Sequence, residues 1–161
     1  MHKSHIFVVY LRKHHIALSM INRQKENEFA YLREENEELK QHVFQLESKL
    51  FIQMDSYLLI EQKSKIKCFS PNEIQQLYAD INYVYILSIK MLKSACSSLT
   101  EEDIMFCCLS KLHLGNTRLG HSMGCASRQA VNQRRYRIKK KMKEARCDYL
   151  FDLIFQLEIR K

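Results

Sequence analysis

Hydrophobic positions follow a heptad over the first third of the chain. Phe29, Asn36, Val43 and Leu50 share one seven-residue spacing, and Leu32, Leu39 and Leu46 fall three residues later. Taken as positions a and d, they put Leu at every d and a single Asn at a. Leu at d with Val at a favours two parallel strands, and a buried Asn at a gives up stability to fix register and pairing. The pattern therefore predicts a parallel homodimeric coiled coil. The frame runs upstream through Asn22, Leu18, Leu11 and Val8, diluted by His15 and Lys25. Between paired helices, Glu28 would face Arg33, Glu35 would face Lys40, and His42 would face Glu47, none of them repulsive. Glu34, Glu35, Glu37 and Glu38 read as a solvated outer face. A single amphipathic helix packed on its own domain is the competing reading.

After Gln53 the heptad loses its leucines, and Asp55 to Phe69 fits either helix or linker. Ser70-Pro71-Asn72-Glu73 then has the form of a helix start: Ser as N-cap, Pro in the first turn, Glu three residues on as capping partner. Ile74, Leu77, Tyr78, Ile81, Tyr85 and Ile89 follow at helical spacing and read as core rather than as a stacking platform.

From Leu99 the punctuation becomes dense. Thr100 with Asp103 can cap a helix carrying Ile104, Cys107, Cys108 and Leu112 on its apolar face, and Gly115 suits the left-handed position beyond its end. Asn116 or Thr117 can cap a short second helix with Leu119 and Met123. Gly124 ends it and Ser127 caps a third helix. A fourth, from about Asp148, contributes Tyr149, Leu150, Leu153, Ile154 and Leu157. Two helices joined by a tight turn, the second offered outward, form a helix-turn-helix.

That third helix holds the densest charge. From Arg128 to Arg146, nine of nineteen residues are Lys or Arg, and Glu144 is the lone acid. Val131, Ile138 and Met142 make a thin apolar seam, so the helix packs by one edge and carries a positive field, as a phosphate backbone demands. With the seam inward, Gln129, Asn132, Gln133, Tyr136, Arg137 and Lys140 face outward. Gln and Asn pair with adenine edges and Arg with guanine. Arg128, Arg134 and the Lys139–Lys141 run are expected on flanking phosphates. A basic patch for an acidic protein partner, on a coiled-coil adaptor, is the alternative; RNA polymerase is one such partner.

The order of these residues resembles the LuxR/GerE-type helix-turn-helix. Leu99-Thr100-Glu101-Glu102, Gly115-Asn116, Leu119-Gly120, Met123, Ser127, Val131 and Ile138 to Met142 follow that family's L-T-x-x-E, G-x-x-N, I-A-x-x-L, S-x-x-T-V and I-x-x-K-L. The likeness covers about the last 65 residues. Three acids stand at Glu101, Glu102 and Asp103 where the family usually has one Glu. Gly120 replaces an alanine, and the chain is one residue longer between Leu119 and Val131. A leucine-rich coil followed by such a module also resembles the cytoplasmic tails of bacterial membrane-anchored regulators. The resemblance implies a sequence-specific transcriptional regulator binding double-stranded DNA.

Composition agrees with an all-α chain, since only 3 Gly and 1 Pro occur in 161 residues. The net charge is +8, of which residues 100–161 contribute +6, from 13 basic and 7 acidic side chains. Six cysteines show no paired spacing, which suits reduced thiols in a cytoplasm rather than a disulfide scaffold or a zinc knuckle. His121 and Cys125 stand four apart, but two ligands do not make a metal site. No Gly-rich phosphate loop or nucleophile elbow is present, so neither an enzyme nor a cofactor is expected. The longest apolar run of the basic start, Ile6 to Leu11, is too short for a membrane span. That start also fits the inner flank of a membrane segment lying upstream. The expected architecture is a long coiled-coil helix over 1–54, a linker with an amphipathic helix over 55–98, and a four-helix helix-turn-helix module over 99–161.

Overall fold

The computed structural model describes residues 2–125 and 127–155, with side chains from Tyr10 onward. Val8 of the heptad frame and Leu157 of the last expected helix lie outside the described side chains. Among the described residues eight helices follow in order: α1 (His2–Phe51), α2 (Asp55–Lys63), α3 (Pro71–Val84), α4 (Ile86–Ala95), α5 (Glu101–Ser110), α6 (Asn116–Ser122), α7 (Arg128–Glu144) and α8 (Asp148–Phe155). No strand occurs among the described residues, and no helix among them is long and apolar enough to cross a membrane.

The chain divides into two compact units, Met1–Lys40 and Gln41–Lys161. This boundary falls inside α1 rather than at its end. The reason is the burial of Phe44 and Phe51, which belong to the core of the second unit together with Ile60, Leu77, Leu92 and Phe106. In the first unit Phe29, Leu32, Asn36 and Leu39 are all exposed, as are Glu34, Glu35, Glu37 and Glu38.

Residues 55–98, expected as a linker with one amphipathic helix, hold three helices. They form α2, α3 and α4, whose buried residues share one core with α5 to α8. The Ser70 N-cap forms a complete capping box with Glu73, with Pro71 in the first turn, as its sequence implies. Hydrogen bonds from Lys63 and Ser70 hold the Glu73 carboxyl down to about 2. The amphipathic stretch beyond it is broken at Tyr85, where the backbone leaves the helical region (φ −89°, ψ 36°). The Tyr85 ring is fully buried, and its hydroxyl donates to Ser48 Oγ at 3.1 Å. The new helix starting there has no side-chain cap of its own. Glu47 of α1 supplies one, accepting hydrogen bonds from the Leu87 amide at 2.9 Å, the Ser88 amide at 3.2 Å and the Ser88 hydroxyl. Glu47 is thus engaged within its own chain and is not available for the expected pairing with His42 of a second helix.

Four of the six thiols, those of Cys96, Cys107, Cys108 and Cys147, are buried. Burial pushes the thiols of Cys107, Cys108 and Cys147 upward, the last to about 11, which keeps them protonated and unreactive.

Candidate nucleic-acid interface

The last four helices build the site. Thr100 caps α5 through a reciprocal capping box with Asp103, as expected. The turn after α5 differs from expectation: His113, not Gly115, holds the left-handed conformation (φ 53°). Gly115 is extended (φ −60°, ψ 155°) and serves as the N-cap of α6. Asn116 is then the first helical residue, and its side-chain oxygen accepts from Arg135 Nη2 of α7 at 3.1 Å instead of capping.

Helix α6 is held from behind by the middle of the chain. Arg118 pairs with Glu61 of α2 at 2.8 Å, and His121 meets the Ser64 carbonyl through Nδ1 at 2.8 Å. The Phe69 amide donates to the His121 carbonyl at 2.9 Å. His121 is therefore used in packing α6 against the end of α2.

The turn from α6 to α7 closes tightly over α6. The Cys125 amide donates to the Gly120 carbonyl at 2.7 Å, which draws the turn back over α6. A Cβ on Gly120 would stand 2.8 Å from the Cys125 carbonyl oxygen and 3.0 Å from Val131 Cγ2. The close turn therefore goes together with a residue that has no side chain. Gly124 takes the left-handed conformation (φ 73°) that ends α6. Ser127 Oγ accepts from the Gln129 amide at 3.1 Å and the Ala130 amide at 3.4 Å, which starts α7.

Helix α7 buries Val131, Ile138 and Met142, the three seam residues. Arg128, Gln129, Asn132, Gln133, Tyr136, Arg137, Lys139 and Lys140 are all exposed, Tyr136 by 70%. Gln129, Asn132, Gln133, Tyr136 and Arg137 line one open depression on the outer surface. Lys139 lies 5.3 Å from the Phe151 ring of α8 and is exposed, and Lys140 approaches the exposed Glu144 at 4.0 Å.

Arg134 and Lys141 depart from the expected phosphate grip. Arg134 pairs with Glu102 at 2.7 Å and approaches Asp103 at 3.8 Å, while Lys141 meets Asp103 at 2.6 Å. Burial alone would raise the Asp103 carboxyl, but the hydrogen bonds from Lys141 and the Thr100 amide hold it below its ordinary value. Arg135 is also turned inward, with its guanidinium 5.7 Å from the Phe155 ring. Desolvation lowers its pKa, and its Nε has no partner among the described residues. The signal for this sorting is in the spacing. Arg134 and Arg135 stand three and four residues after Val131, and Lys141 three after Ile138, so each shares the face of the seam. Lys143, outside the expected set, adds a further exposed cation.

The result is a helix with its charges divided. Glu102 and Asp103, in the first turn of α5, bind the inner cations and fix α7 in place. Arg128, Arg137, Lys139, Lys140 and Lys143 remain at the surface around an uncharged patch of amides and one phenol. No family model, curated protein or solved structure matches this chain.

Proposed function

We propose that this chain is a sequence-specific DNA-binding transcriptional regulator that lays α7 in the major groove and works as a homodimer through α1. One observation carries the reading. The α7 helix packs by its apolar edge and leaves Gln129, Asn132, Gln133 and Tyr136 outward, between exposed cations at both ends. Amides of this kind contact base edges, and cations contact phosphates, so one helix face holds both kinds of contact in the order a groove presents them. The turn and short α6 before it complete a helix-turn-helix, and the order of residues resembles the LuxR/GerE type.

The dimer has separate support. Leu46 and Leu50 are exposed by 65% and 56%, although the same stretch of α1 buries Phe44 and Phe51. Phe44 and Phe51 are taken up by the core, while Leu46 and Leu50 leave an apolar stripe for a further partner. A second copy in parallel register covers that stripe, with Asn36 paired to its mate. Two linked modules gain affinity through effective concentration and read paired half-sites.

Selection of bound sites from a random duplex library with the full chain tests the reading. Enrichment of a paired motif with fixed spacing is expected. Recovery of sequences no different from the starting pool would refute it.

A further inference from the structure

We propose that the base pairs at the centre of each half-site are A·T, with adenine read by Asn132 and Gln133 and a thymine methyl packed against the Tyr136 ring. This rests on the DNA-binding reading above and adds the identity of the bases. Four observations carry it. The side chains of Gln129, Asn132 and Gln133 are exposed and make no hydrogen bond to any described residue, so three amides stand ready within the first two turns of α7. An amide presents a donor and an acceptor side by side, which matches adenine N7 and N6.

Arginine, the usual reader of guanine, is withdrawn from the middle of the face. Arg134 is bound to Glu102 and Arg135 to Asn116, which leaves Arg128 and Arg137 at the two ends of the patch. Guanine reading is therefore confined to the flanks. Among the described residues no acid that would accept from the cytosine amino group lines the outer patch; the sole acid of α7, Glu144, is its last residue. Finally, Tyr136 lines the same depression as the amides and offers an exposed ring to whatever enters the groove beside them. Thymine is the base that presents a methyl group there.

Bases altered by single atoms or groups provide the test. Sites are first selected from random duplex with the full chain. Affinity for the best site is then compared with copies carrying 7-deazaadenine for adenine, or uracil for thymine, at the central positions. The expected results are an A·T centre and a loss of about tenfold or more with 7-deazaadenine. A smaller loss is expected with uracil. The Asn132→Ala/Gln133→Ala variant should lose sensitivity to 7-deazaadenine, and Tyr136→Ala should lose sensitivity to uracil. Neither variant removes an internal contact, so both should fold. An enriched motif with a G·C centre, or indifference of the wild type to both altered bases, would overturn the inference while leaving DNA reading intact. No enrichment at all would remove the underlying reading.

Discussion

The Oε1 atom of Glu47 lies 2.9 Å from the Leu87 nitrogen, so α1 caps a helix forty residues away that carries no cap in its own sequence. Three donors converge on this one carboxylate, and the residue is only 9% exposed. Glu47→Ala leaves those donors unpaired beside the core. The expected loss is about 2–4 kcal/mol of unfolding free energy, measured by urea denaturation, with Glu47→Gln retaining part of it. A loss below about 0.5 kcal/mol would show that the clasp contributes nothing net.

The two stripes of α1 should separate in experiment. Leu46→Asp with Leu50→Asp changes exposed positions, so the second unit should keep its helicity while the dimer dissociates in sedimentation. Phe44→Ala empties a fully buried site and should cost about 3–5 kcal/mol. Asn36→Val should raise thermal stability while loosening oligomer choice toward trimers. A wild-type chain that sediments as a monomer at all concentrations would refute the dimer.

Gly120→Ala sets two effects against each other. Alanine favours helix by about 1 kcal/mol, but its Cβ would stand 2.8 Å from a backbone oxygen that cannot move aside. The clash should win, with a net loss of about 1–2 kcal/mol in urea unfolding and weaker DNA binding as the turn shifts α7. A stabilised variant would show that the turn does not press on α6.

Asp103 makes stability depend on acid. Its carboxyl is held below the ordinary value, so its contribution is full above the unfolded-state pKa and is lost as pH falls through the folded one. Asp103→Asn should therefore cost about 1–3 kcal/mol at neutral pH, and the gap from wild type should close as pH falls through the folded-state pKa. A gap that stays constant with pH would contradict the ion pairs with Lys141 and Arg134.

What the sequence reveals here is mostly local. Capping at Ser70, Thr100 and Ser127 follows from single side chains reaching the next turn, and all three form. The seam of Val131, Ile138 and Met142 is equally local, and with it the outward set on α7. What stays hidden depends on partners distant in sequence. Glu47 fits a coiled-coil position by its spacing, and only the break at Tyr85 reveals its role in capping α4. Arg134 and Lys141 look like part of one basic run until Glu102 and Asp103, more than thirty residues earlier, are brought alongside. Gly115 reads as a left-handed residue, but the reversal occurs two residues sooner, at His113.

The central claim is that the outer face of α7 grips duplex DNA, and the salt dependence of affinity for a selected site tests it most directly. Five exposed cations on each α7 are available for phosphates. A dimer using about three from each copy should give a log–log slope near −5 or steeper. Arg137→Ala and Lys140→Ala together should make that slope shallower by a few units. A slope near zero, unchanged by these substitutions, would contradict the account.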